Sequence, residues 1–397
     1  MLNSVQLLGC LLIGGLISGE IVRRVIDLPR TTGFVLFGLA VGTSGLGWVQ
    51  PQDIESARLF VDLALGLILF ELGHRFSAPG WRIVRGRLRA GLVESVFSGL
   101  LMFVTAAALG FSPVIAAFAA AIGISTSPAI TIATSSDVGA KGRKSEILFT
   151  LVALNGTVAF VLLTFISGIS GTGGWWQCAH RSLEPIFFSV LIGLAGALLA
   201  VQGAKRLGRY VEHQHLLLLG LIVVAVGTAL ALEISVLLPL LILGVGTRIL
   251  DRSNEVVTIR ISSDARIFLV ITFVLAGASL DVGLLSKYWG EALVFVSIRL
   301  AGKFVALQVM HRYLGLDEDD VGPMAIGLMP MSSVAIVLVT DMRMQETQGF
   351  TEVYGMLMTA ILLMQLLGPV ATQYAIKRFG EATLFMRGEK MSSASSA

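Results

Sequence analysis

An all-α fold that crosses a membrane many times, built as inverted repeats with two crossed broken helices, is what this sequence predicts. Three observations carry that expectation. Of 397 residues, 55% are hydrophobic and only 14% are charged, at a mean hydropathy of +0.84. A soluble chain of this size needs a surface far richer in charge. Apolar runs of about 18 residues or more recur from end to end, each long enough to cross a hydrocarbon core of about 30 Å. Two polar breaks, ISTSPAITIATSSD with Pro128 and GLMPMSSVAIV with Pro330, interrupt such runs at a spacing of 202 residues. A transmembrane β-barrel is excluded, because its strands alternate apolar and polar positions and these runs do not.

Thirteen spans follow in order. Span 1 (4–22) has no basic residue before it and Arg23 and Arg24 after it. That is the reverse of a secretory signal, so a retained first helix with its N-terminus outside is expected. Spans 2 (31–49) and 3 (57–75) hold GFVLFGLAVG and LGLILFELGH, span 4 (90–110) holds GLVESVF, and span 5 (112–136) contains the first break. Span 6 (145–168) contains LVALNGTVAFVLL, an apolar run with an Asn-Gly pair at its centre. Spans 7 to 10 (183–203, 213–231, 233–250 and 265–283) are plain apolar runs. Span 11 (289–311) carries VFVSIRLAGKFVAL, span 12 (321–341) the second break, and span 13 (352–376) closes the membrane part, 1–376. Residues 377–397, ending EKMSSASSA, are expected as a short, disordered cytoplasmic tail.

Of the 29 Lys and Arg residues, 23 lie in or beside loops that follow odd-numbered spans or in the tail, and four beside the other loops. The bias puts the N-terminus outside and the C-terminus in the cytoplasm. The net charge of +3 therefore reports orientation in a membrane and not nucleic-acid binding. No loop is long enough to form a domain and no nucleotide-binding motif is present, so no cofactor, ATP-driven step or enzymatic activity is expected. Cys10 and Cys178 are too few for a metal site of the usual kind; both are expected towards the outer face, where a disulfide between them is an open reading.

The 202-residue shift that superimposes the breaks also places Gly42 on Gly244. Span 5 starts outside and span 12 inside, so the two copies run in opposite directions. Inverted repeats with one interrupted helix each point to a secondary transporter with its site between the breaks. Two ordinary proline kinks are the bland alternative.

The remaining two basic residues, Arg299 and Lys303, sit inside span 11, one turn apart on one face. A cation at that depth costs about 2.5–3.5 kcal/mol or more, so it faces a partner or a cavity. The breaks offer hydroxyls and freed backbone groups: Ser125, Thr126, Ser127 and Thr131 in one, Ser332 and Ser333 in the other. Membrane serines also bond their own i−4 carbonyls, which is the competing reading for each hydroxyl.

In this order and spacing the motifs resemble the cation:proton antiporter superfamily, the bacterial sodium/proton and potassium/proton exchangers. LPRTTGFVLFGLAVG is similar to the family's second helix and LGLILFELGHRF to its third. STSPAITIATSSDVGAKG looks like the first broken helix and its exit, FVLAGASLD like a later helix, RLAGK like the one bearing the family's basic residue, and GLMPMSSVAIV like the second broken helix. The resemblance implies a core (90–168 and 289–376) moving against dimerisation helices (1–75 and 183–283), in a homodimer of the bacterial inner membrane. It also implies that the position of Gly156 belongs to an aspartate that binds cation and proton in turn. Asn155 matches the family; Gly156 departs from it.

Other carboxylates are candidate substitutes. Glu94, one turn inside span 4, reads either as an interfacial acid pairing with Arg87 or Arg89 or as a partner of Lys303 at similar depth. Glu71 and His74 at the end of span 3, and Asp137 beyond span 5, read as interfacial; Asp62, Glu233, Asp281 and Asp341 lie near outer ends, and Glu20 pairs with Arg23 and Arg24 at i+3 and i+4. The expected function is exchange of a monovalent cation, Na⁺ or K⁺, for protons. Asn155, Gly156, Thr157, Ser125, Thr126, Ser127, Pro128, Thr131, Pro330, Ser332 and Ser333 line the expected site, with Arg299, Lys303 and Glu94 as buried charges. Glu94 or Lys303 is the expected proton-linked group. The expected partners are cations, protons, lipid and a second copy of the chain. An anion or organic-acid transporter of the same fold, and a transport-inactive membrane sensor or scaffold, stay open.

Overall fold

The computed structural model describes residues 4–75, 81–170, 175–208, 210–251, 256, 265–332, 335 and 350–383. The regular elements are α1 (Ser4–Ile26), α2 (Arg30–Val41), α3 (Pro51–Ser56), α4 (Arg58–His74), α5 (Trp81–Ala108), α6 (Pro113–Ile124), α7 (Pro128–Val138) and α8 (Arg143–Ser170). They continue with α9 (Trp175–Leu207), α10 (Val211–Ala231), α11 (Leu237–Leu250), α12 (Ala265–Ala278), α13 (Val282–Leu314), α14 (Glu318–Gly327) and α15 (Phe350–Arg378). The described residues contain no strand beyond one isolated bridge between Ala140 and Ala382.

Local chemistry sets the helix ends. Ser112 accepts from the Ile115 amide to cap α6, whose first residue is Pro113, and Asp317 with Asp320 makes a capping box on α14. Gly139 and Gly315, at φ 64° and 69°, close α7 and α13 in the left-handed conformation that a side chain resists. Among the described residues, seven helical stretches are long and apolar enough to cross a membrane: α5 from Arg85, α6 with α7, α8, α9, α10, α13 and α15 from Val353.

Three expected spans are shorter than their apolar runs. The second ends at Val41, because Gly42 turns the chain into extended backbone (ψ −171°). The ninth begins at Leu237, after a turn with Glu233 at positive φ, and the tenth ends at Ala278, before Asp281 caps α13. The tail also begins later than 377. The α15 helix runs to Arg378, and Glu381 then accepts from the Lys144 and Ser145 amides at 2.9 and 2.7 Å, capping α8; residues from 384 lie outside the described residues.

The 202-residue shift extends to whole helices. It carries α1 onto α10, α2 onto α11, α4 onto α12, α5 onto α13, α6 onto α14 and α8 onto α15, leaving α9 as the link. Mates lie seven spans apart, an odd number, so each enters from the opposite side. Glycines let paired helices meet backbone to backbone, as small residues do in membranes. Gly42 packs on the backbone of Ala278, and its repeat mate Gly244 on that of Phe70; Gly302 of α13 lies on Ser98 of α5, where an added Cβ would sit 3.1 Å from the Ser98 Cα.

The helices pack as two groups. The helices α5–α8 and α13–α15 form one, and α1, α2, α4 and α9–α12 the other. Exposed Leu, Ile and Val residues such as Leu16, Leu191 and Val309 stud the outer surface, as lipid contact requires.

Candidate functional site

The first broken helix parts at Ser125–Ser127. Proline at 128 lacks an amide proton and disfavours helix in the residue before it, and Ser127 accepts from the Ile130 amide at 3.3 Å to start α7 afresh. The second parts after Gly327 at Leu328–Met331. The two cross there. The Ser127 amide donates to Pro330 O at 2.9 Å, and Thr126 Oγ1 donates to Leu328 O, its own mate in the repeat, at 3.1 Å.

Ending two helices in the membrane interior strands their last carbonyls. Arg299 answers both ends at once. Its Nε donates to Gly123 O at 2.6 Å, one terminal nitrogen to Ser125 O at 2.8 Å and Leu328 O at 3.1 Å, and the other to Met329 O. The residue is fully buried. Each helix C-terminus carries about half a negative charge, so two of them offset one guanidinium. Arg299 is thus neutralised by the crossing itself.

One turn along α13, Lys303 Nζ lies 2.8 Å from Glu94 Oε1 of α5, with neither side chain exposed. Glu94 Oε2 is buried without a hydrogen-bond partner. The interfacial pairing of Glu94 with Arg87 or Arg89 is therefore corrected. Helix α5 reaches deeper than its charged start suggests, and the close approach at Gly302 holds α13 against it.

Next to Glu94, Ser95 Oγ donates to Asn155 Oδ1 at 2.9 Å, and Asn155 Nδ2 donates to Thr126 Oγ1 at 3.3 Å. The amide in the middle of the apolar run is thus a buried tie between α5, α8 and the first break. A Cβ at Gly156 would meet nothing within 4 Å. The space belongs to a cavity of about 40 Å³ for water centres, between the two helix groups. Its polar wall is Ser125, Thr126, Thr157 and Ser332; Leu69 of α4 and Leu237, Leu238 and Leu241 of α11 face them. Three of those hydroxyls already donate to backbone carbonyls: Ser125 to Ile122 at 2.7 Å, Thr126 to Leu328 at 3.1 Å and Thr157 to Ala153 at 2.9 Å. Ser125 and Thr157 are thus left with lone pairs and no free proton, whereas Thr126 Oγ1 also accepts from Asn155 at 3.3 Å and from Arg299 at 3.5 Å.

Residues 8–377 match the family described as "Sodium/hydrogen exchanger, transmembrane". The chain belongs to that family. A Na(+)/H(+) antiporter of Enterococcus hirae is 20% identical over 384 residues, covering 93% of this chain and 97% of that protein. The solved structure of the sodium proton antiporter MjNhaP1 from Methanocaldococcus jannaschii at pH 8 superposes with a TM-score of 0.72 at 17% identity, over 95% of this chain and 99% of that one. An electron-microscopy map of the same antiporter gives 0.76 at 17% identity, over 96% and 99%. At such identity the structural likeness speaks for the fold.

Within this exchanger fold the expected site residues divide. Ser125, Thr126, Pro128, Gly156, Thr157 and Ser332 line the cavity. The Ser127 and Thr131 hydroxyls do not: Ser127 caps α7, and Thr131 donates to Ser127 O at 2.9 Å within its own turn. Pro330 shapes the crossing, and Ser333, like Asp341, lies outside the described residues. Lys303 is not on the cavity wall, so the space at Gly156 opens onto hydroxyls and not onto a waiting ammonium.

Of the other charges, Glu20 binds Arg24 and Arg30, whereas Arg23 donates to Asp137 O, and Asp137 takes Arg30. Glu71 pairs with Arg75, and His74 stacks on Phe70. Cys10 and Cys178 are free thiols. Sequence reasoning missed Ser95 and the leucine wall. Ser95 was legible only as the neighbour of a buried acid; Leu237, Leu238 and Leu241 carry no signal that separates them from lipid-facing leucines.

Proposed function

We propose that the chain is a secondary transporter of the bacterial inner membrane that exchanges a monovalent cation for protons. In this reading the cation occupies the cavity beside Gly156. One observation carries the choice of ligand sign: the Ser125, Thr126 and Thr157 hydroxyls have their protons already committed, which suits a cation and denies an anion those three donors. Arg299, the other support for an anion, is held by carbonyls and helix termini.

The Glu94–Lys303 pair is the proton-linked group. With the cation bound, the pair is carboxylate and ammonium, and the site holds one positive charge in the cation. With the cation gone, the free Oε2 of Glu94 takes a proton, and the same single positive charge crosses as H⁺. Asn155 ties the two stations, through Ser95 on one side and Thr126 on the other. The cavity lies at the seam between the helix groups, which supports a core (90–168 and 289–376) sliding against the other helices; in this reading those helices form a homodimer, and the basic-residue bias puts the N-terminus outside. Proton flux and uptake of radioactive sodium or rubidium by proteoliposomes test the reading, with chloride and small carboxylates run alongside. Cation-dependent proton flux is the expected result.

A further inference from the structure

The cavity beside Gly156 holds no carboxylate among its described wall residues, and four carbonyls at the crossing are occupied. Gly123 O, Ser125 O, Leu328 O and Met329 O are turned to Arg299. Thr126 Oγ1 already accepts from Asn155. What faces a ligand is the lone pairs of Ser125 and Thr157, with Ser332 near by and leucines opposite.

We propose that this cavity selects large, weakly hydrated monovalent cations, K⁺, Rb⁺ and NH₄⁺, over Na⁺ and Li⁺; the inference rests on the cation/proton exchange proposed above. The field at an ion's surface falls as its radius grows, so water is hardest to strip from the smallest ion. A full negative charge repays that cost best for the smallest ion as well. Neutral hydroxyl dipoles repay it poorly, and the shortfall is greatest for Li⁺ and Na⁺. The field strength of the ligands therefore sets the rank.

Room acts in the same direction. A cavity of about 40 Å³ accommodates about three water centres, so an ion keeps part of its shell and is not clasped. The leucine wall cannot close onto a small ion with oxygens. Ammonium adds hydrogen-bond donors that match acceptor-only hydroxyls.

The experiment uses the purified full chain in proteoliposomes, with internal pH followed by a trapped dye. Equal outward-facing pulses of RbCl, NaCl, LiCl and choline chloride are compared. The expected result is proton flux with Rb⁺ about tenfold faster than with Na⁺, and Li⁺ slowest. Gly156→Asp should narrow or reverse that ratio by restoring a charged ligand; Thr157→Asp, on the same wall, is the second arm should the first fail to fold. Na⁺ or Li⁺ driving flux as fast as Rb⁺ in the wild type overturns the selectivity and leaves the exchange intact. Flux with every cation equal to that with choline overturns the exchange itself. An unchanged ratio in a folded carboxylate variant overturns the attribution to the missing charge.

Discussion

Glu94 Oε1 and Lys303 Nζ meet 2.8 Å apart between α5 and α13, both fully shielded, while Glu94 Oε2 has no partner. Breaking such a pair on one side leaves an uncompensated charge, at a cost of about 3–5 kcal/mol. Glu94→Gln keeps an acceptor for Lys303 but removes the titrating group. It should abolish cation-driven proton flux, with a lowered melting temperature in detergent. Glu94→Gln with Lys303→Met should regain the melting temperature and stay inactive. Wild-type flux in Glu94→Gln removes the pair from the mechanism.

Arg299 binds four carbonyls from two broken helices, and no other side chain has a planar fork of that reach. Arg299→Lys keeps the charge but loses the simultaneous reach, so several carbonyls are stranded at about 1–3 kcal/mol each. Thermal unfolding in detergent should fall by many degrees, and Arg299→Met should fall further. An unchanged melting temperature in Arg299→Lys means that charge alone suffices.

Gly156 lies inside a helix with open space where a side chain would go. Gly156→Ala should stabilise the protein by about 0.5–1 kcal/mol, since glycine weakens a helix interior. Gly156→Leu should fold and yet fill the cavity, cutting flux well below that of Gly156→Ala. Equal flux in both variants would show that the ion does not pass there.

Orientation has its own test. A reporter fused after Arg252 is expected to read cytoplasmic and one after Gly173 periplasmic, because spans 9 and 6 end on opposite faces in the thirteen-span order. Both reporters on one side would contradict the order and the inverted repeat with it.

The fold was largely legible because a bilayer leaves few options. Length of apolar run, basic-residue bias and two prolines 202 residues apart sufficed to find the spans, the two breaks and the match of Gly42 with Gly244, whereas the pairing of α1 with α10 and of α5 with α13 rests on the helices themselves. The exact ends were not, since Gly42 and Glu233 act through backbone conformations that apolar composition does not announce. At the site, Arg299, Lys303, Asn155 and the Thr126 break stood out as polar groups where lipid forbids them. The pairing of Glu94 with Lys303 was one of two readings; burial, which depends on how tightly Gly302 lets α13 approach, separates them. The leucine wall was invisible.

In the proposed mechanism a cation in the Gly156 cavity and a proton on the Glu94–Lys303 pair cross in alternation, one charge for one charge. Simultaneous tracer-cation uptake and proton release in proteoliposomes, with and without a potassium-free imposed membrane potential, test it most directly. Cation uptake and proton release are expected in equal amounts, insensitive to the potential and absent when chloride or a small carboxylate is the only gradient. Proton movement that follows an anion gradient, or that proceeds without any transported cation, would contradict it.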